Sequence, residues 1–144
     1  MTQVTAYTNE GRYKCLEDLP IDSAELSLGY CGWERCYPGH RFGPNKRTHY
    51  ALHIITNGKG KLEKNGEVFH LTTGDAFLLC PEEEAWYEAD KKEPWAYAWI
   101  GLYGYKVKKV MQYAGFSKEK SIRSLKCTAL LKSYVDEILE VHRL

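Results

Sequence analysis

The chain has 144 residues, 44% hydrophobic and 27% charged, with a formal net charge of +1. Such a length and balance fit one domain able to bury its own core, and they exclude a disordered or fibrous chain. So small a charge argues against nucleic-acid binding by the chain as a whole, and no apolar run approaches the roughly 18 residues of a membrane-spanning helix.

Residues 1–24 are polar and turn-rich, with Asp18, Pro20 and Asp22 breaking any periodicity. They are expected to form an arm with one short strand, and their first residues lack the basic and apolar tract of a signal peptide. From Glu25 onward Leu26, Leu28 and Tyr30 alternate with Ser27 and Gly29, which predicts a half-buried strand running through Trp33. Residues 38–48, rich in Gly, Pro, Asn and Lys, are expected to be a loop.

The short apolar run 49–56 predicts a strand closed by Asn57-Gly58. Asn65-Gly66 predicts a two-residue hairpin, because both central positions of the twist-matched turn need positive φ. Further strands are expected over 76–80, between the Gly74-Asp75 turn and Pro81, and over 86–89 and 95–103. About seven short strands without crossover helices imply an antiparallel sandwich or barrel over residues 25–103.

The periodicity changes at Gly104. Val107, Val110, Met111 and Ala114 follow helical spacing, with Gly115 placed as a C-terminal cap. Leu131, Tyr134, Val135, Ile138 and Leu139 mark a longer amphipathic helix over about 125–142. Residues 104–144 thus form a helical segment carrying 9 Lys and Arg against 4 Asp and Glu, net +5, whereas residues 1–103 carry 11 against 15, net −4. That basic excess reads as a solvated helix face. The apolar stripe is wide enough for the barrel and a partner helix, so Leu131, Tyr134, Val135 and Ile138 are candidate dimerisation residues and a homodimer is expected. The chain stops at Leu144 without a turn signal or cap, as if cut within a larger protein.

The five cysteines are odd in number and irregular in spacing, which argues for free thiols in a reducing cytoplasm. His49 and His53 share a strand face but lie about 13 Å apart along it. Ligands of one ion sit about 2 Å from it, so this pair cannot share a metal. No nucleophile elbow or phosphate loop occurs, and the Glu82-Glu83-Glu84 run reads as a solvated turn. No catalytic residue, metal or cofactor is therefore expected. In 95–103, alternation puts Trp95, Tyr97 and Trp99 on one face. If that face is interior, it offers flat apolar walls with polar tips, which suit a sugar ring. Tyr87, with His53 or Arg47 across the barrel, could complete a pocket. Equally, Trp95 or Trp99 could simply plug the barrel end.

The segments Pro38-Gly-His-Arg-Phe-Gly-Pro44, Arg47-Thr-His-Tyr-Ala-Leu-His53, Gly58-Lys-Gly60, Gly74-Asp75, Pro94-Trp95 with Trp99, and Ala114-Gly-Phe-Ser117 appear in order. Together they resemble the N-terminal effector-binding cupin domain of AraC-family transcription regulators, over about residues 26–144. The resemblance implies a mainly β chain with C-terminal α structure: a double-stranded β-helix barrel of jelly-roll type followed by two helices. It implies a small effector, often a sugar, a homodimer formed through the helices, and DNA binding only through a further C-terminal domain. Ligand contacts in the family fall on Tyr87, Tyr97 and Trp99. The metal-binding His of catalytic cupins corresponds about to Ala85. The competing expectation is a small cupin enzyme, such as a sugar isomerase or epimerase.

Overall fold

The computed structural model describes residues 6–143, so the first five residues of the expected arm and Leu144 lie outside the described residues. Eleven strands and two helices are described. In chain order the strands are β1 (Ala6–Asn9), β2 (Tyr13–Glu17), β3 (Ser27–Arg35), β4 (Arg41–Asn45), β5 (Tyr50–Asn57) and β6 (Lys59–Lys64). They continue as β7 (Glu67–Thr72), β8 (Asp75–Leu79), β9 (Ala85–Ala89), β10 (Ala96–Tyr103), the helix α1 (Val107–Tyr113), β11 (Ile122–Ser124) and α2 (Thr128–Arg143). One sheet runs β1-β2-β3-β10-β5-β8-β11, and a second runs β4-β9-β6-β7. All named pairings are antiparallel.

The strand period of two decides what lies between the sheets. Ala51, His53 and Ile55 of β5, Phe77 and Leu79 of β8, Tyr87 of β9 and Tyr97 and Trp99 of β10 turn inward. The alternate residues Leu52, Ala76 and Leu78 turn outward to meet Val107 and Met111 of α1. The turn at Asn65-Gly66 is as predicted, with φ of 52° and 79°.

Three local expectations fail for identifiable reasons. The arm contributes two strands rather than one: β2 pairs with β3 as Tyr13 opposite Glu34 and Cys15 opposite Gly32, so ladder bonds hold residues that lack hydrophobic periodicity. The loop over 38–48 contains β4, which tolerates Pro44 because it is an edge strand. Leu28 and Tyr30 do not share a face. The β3–β10 register slips beside Gly101, so Leu28 packs outward under α2 while Tyr30 packs inward.

The helical segment rests on the outer face of the larger sheet. The C-terminus of α1 closes as predicted at Gly115, whose φ is 86°, with Phe116 N–H donating to Met111 O at 2.8 Å and Gly115 N–H to Gln112 O at 3.0 Å. On α2, Val135 and Leu139 pack on Leu16, Cys31 and Ala98. Lys132 Nζ lies 4.6 Å from the centroid of the Trp33 ring. Of the four candidate dimerisation residues, Val135 is therefore taken up by the barrel at 2% exposure; Leu131 and Ile138 are half-buried and Tyr134 is 53% exposed. Among the described residues no helix is long and apolar enough to cross a membrane. The five cysteines are free, four of them buried and Cys127 exposed.

Candidate functional site

Trp99 sits mid-strand in β10, opposite Gly32 on one side and His53 on the other. The place opposite must be glycine, because a Cβ there would lie 2.4 Å from Trp99 Cζ2. Two residues earlier, Tyr97 faces inward opposite Glu34 and meets Trp99 at 5.5 Å between ring centroids. Tyr87 reaches in from the second sheet and stands edge-on to Tyr97 at 6.1 Å. Phe42, opposite Tyr87 in the β4–β9 pair, stacks on it at 5.4 Å. His53 lies flat on Phe77, 4.6 Å away and 2° from parallel.

Of these rings, Phe42, His53, Tyr87, Tyr97 and Trp99 line a partly open cavity of about 260 Å³, with Phe77 behind His53. At ~30 Å³ per liquid water this is room for about nine waters, which suits one six-membered sugar ring. The five ligand-site candidates, Arg47, His53, Tyr87, Tyr97 and Trp99, all line it. Trp95 does not. At 1% exposure it closes the far end of the barrel, stacked on Phe77 at 6.1 Å, and only glycine at position 60 leaves room for its ring. A larger hollow of about 570 Å³ beside the 90–92 turn is edged by lysines and by Glu88, and has no aromatic wall.

Polar groups stand at defined places around these walls. Arg47, in the β4–β5 loop, donates through Nη2 to the Tyr87 hydroxyl at 3.3 Å. No carboxylate lies within ion-pair distance of it among the described residues. Burial, reinforced by the Arg47 charge, holds His53 well below its ordinary 6.5, so its imidazole is neutral. Its Nδ1 makes no well-formed hydrogen bond. Burial also raises the Tyr97 phenol well above its usual range and raises Tyr87, so both remain donors. Tyr30, pushed by burial up to about 12, hydrogen-bonds His49 Nε2. His49 thus stands behind Tyr30, outside the cavity lining, and stacks on Tyr103 at 4.5 Å.

Sequence reasoning missed Tyr13, Tyr30, Glu34 and Phe42, which also line the cavity. Glu34 carried a readable signal, since it shares strand parity with Tyr30 and sits between the aromatic Trp33 and Arg35. Tyr13 and Phe42 carried none, lying in segments without periodicity.

Glu34, Cys36 and His40 place one donor atom each within 4.8 Å of one another, the set among the described residues that could hold a metal. Burial pushes the Cys36 thiol up to about 12, which opposes the thiolate a metal requires. Ala85 turns only a methyl group into the barrel. The arrangement can hold a ring between aromatic faces and hydrogen-bond its rim. The one thiol at its edge, Cys15, donates to Glu17 Oε1 at 3.4 Å and is pushed by burial up to about 12, so it stays a thiol.

Comparison with known proteins agrees with this geometry. Over 101 residues the chain is 38% identical to the Msm operon regulatory protein of Streptococcus mutans, covering 70% of this chain and 36% of that protein. Over 89 residues it is 35% identical to the lactose operon transcription activator of Staphylococcus xylosus, covering 62% and 31% respectively. The chain thus spans about a third of these relatives' length. A cupin protein from Bacteroides fragilis shares the fold, with TM-score 0.51 at 14% identity over 70% of this chain and 87% of that one. The profile of the AraC-like ligand binding domain matches residues 27–140. The chain belongs to that family of ligand-binding regulatory domains.

Proposed function

We propose that this chain is the sensing and dimerisation unit of a cytoplasmic transcription regulator, and that its effector is a small sugar bound without being transformed. The observation that carries this reading is the cavity of about 260 Å³, where Trp99, Tyr97 and Tyr87 offer flat faces and Arg47 and His53 offer polar atoms. Sugar rings present apolar C–H faces to such walls and hydroxyls to such tips. The Staphylococcus xylosus relative is named for a lactose operon, which supports sugars as the effector class.

In this reading residues 1–24 are the arm, 25–103 the sensing barrel and 104–144 the helical dimerisation segment. Two copies pair through the outward side of α2, where Leu131 and Tyr134 remain available beside Ile138, which is half-buried against the barrel, and DNA is read by a C-terminal domain outside this chain. The ligand is coupled to the arm because Tyr13, on β2, lines the cavity and meets Trp99 at 5.8 Å. Occupancy then shifts the population of arm-docked dimers by the difference in affinity between states.

Calorimetry against galactose, lactose and raffinose tests the proposal. At least one should bind, and Trp99→Ala should weaken it by about tenfold or more, the loss of one aromatic contact and its buried area. Absence of binding by all three, together with a broader panel of mono- and disaccharides, would contradict it.

A further inference from the structure

The side wall of the cavity holds a carboxylate that packing alone does not explain. Glu34 is 8% exposed, and its Oε2 accepts no hydrogen bond. The basic side chain within 4.0 Å of it is His40, whose Nδ1 is 4.0 Å from Oε1 and whose side chain is one third exposed. Burial pushes the Glu34 carboxyl up, opposed in turn by His40, by a hydrogen bond from the Cys36 thiol and by the Arg12 charge, none of which reaches Oε2 within hydrogen-bond distance. Leaving a buried acceptor empty is unfavourable, and a ligand hydroxyl arriving in the cavity would fill it.

The surrounding charges decide which ligands can arrive. Arg47, unpaired with any carboxylate among the described residues, would by itself attract a sugar acid or a sugar phosphate. Two carboxylates line the same cavity, Glu34 on the side wall and Glu17 at the exposed rim of β2. A second negative group brought against Glu34 meets a like charge in a poorly solvated place, and like-charge contacts of this kind suppress wrong partners.

Resting on the sugar-sensing reading above, we infer that Glu34 selects the charge class of the effector: it accepts hydroxyl hydrogen bonds from a neutral sugar and excludes sugar acids and sugar phosphates. Arg47 then acts as a hydroxyl donor at the opposite wall and not as an anion site.

The test compares galactose, lactose and raffinose with galacturonate and galactose 6-phosphate, by calorimetry on the wild-type chain, Glu34→Gln and Glu34→Asp. Wild type should bind a neutral sugar at least about tenfold more tightly than either charged counterpart. Glu34→Gln, nearly isosteric and uncharged, should weaken the neutral sugar by about ten- to a hundredfold, the range for one hydrogen bond to a charged group. It should also remove most of the discrimination. Glu34→Asp keeps the charge with a shorter reach, and should lose affinity while keeping the discrimination. Circular dichroism on each variant confirms the fold. If wild type binds neutral sugars but either Glu34→Gln binds and discriminates like wild type or a charged counterpart binds equally well, this inference is overturned and the sugar-sensing reading stands. If wild type binds none of the five, both are overturned.

Discussion

Gly32 of β3 stands directly opposite Trp99 of β10, and the indole occupies the space where any side chain at position 32 would begin. The glycine is therefore a part of the binding wall that makes no contact of its own. A Cβ at that place would also approach the Lys14 carbonyl oxygen to 2.7 Å, so neighbouring strands as well as the ring must yield. Gly32→Ala should lower thermal stability, by about 1–3 kcal/mol for overpacking. It should also change the emission of Trp99 and weaken ligand binding beyond any effect on folding. Thermal unfolding and fluorescence measured on the same preparation check this.

A buried ion pair inside the barrel also reaches the segment that leads to α2, through the lysine's hydrogen bonds to Lys118 O and Ser121 Oγ. Lys64 Nζ on β6 lies 2.9 Å from Glu83 Oε2, with side-chain exposures of 6% and 2%, and donates to Ser121 Oγ at 2.9 Å. Glu83 Oε1 accepts from the Cys80 backbone N–H at 3.0 Å. Lys64→Met should destabilise by about 3–5 kcal/mol, because it strands a buried carboxylate. Adding Glu83→Gln should recover part of that loss. Urea unfolding of the single and double variants measures the coupling.

Acid should destabilise the fold through His53. The folded chain holds this imidazole neutral well below 6.5, whereas the unfolded chain protonates it near 6.5. A depressed folded value gives stability that is present above 6.5 and lost as pH falls below it. His49 shifts in the same direction, chiefly by burial. Glu34 has the opposite sign: its raised carboxyl contributes stability below 4.5 that is lost as pH rises through its folded value. The urea midpoint should therefore fall between pH 7.5 and 5.5, and less steeply in His53→Phe. A midpoint independent of pH in the wild type would contradict the account of His53.

The two sides of α2 should respond differently. Val135→Asp buries a charge against Leu16 and Cys31 and should destabilise the monomer by about 3 kcal/mol or more. Tyr134→Glu lies on the outward side and should leave the unfolding midpoint of the monomer unchanged while weakening the proposed dimer. Light scattering over a concentration series, paired with thermal unfolding, separates the two.

Much of the barrel was legible because its strands obey simple local rules. Asn65-Gly66 announced its hairpin, and alternation put Tyr97 and Trp99 on one face, which the fold turns inward. What escaped depends on distant parts of the chain. The register slip at Gly101 reversed the side on which Leu28 packs, and nothing local to Leu28 encodes it. The second arm strand exists because β3 offers a free edge to Tyr13 and Cys15. Val135 looked like part of an interface because a helix stripe does not say which of its residues meet the barrel. For the cavity, aromatics drew attention and a lone glutamate within a strand did not, although Glu34 is the residue whose buried oxygen is left without a donor.

The most direct test of the central claim is a crystal structure of the chain grown with the sugar that binds best. The account predicts density for one sugar ring inside the barrel, its face on Trp99, with hydroxyls toward Arg47 and Glu34 and with Tyr13 of the arm hairpin closing over it. An empty barrel with the sugar held on the outer surface, in the lysine-edged hollow near residues 90–92, would contradict it.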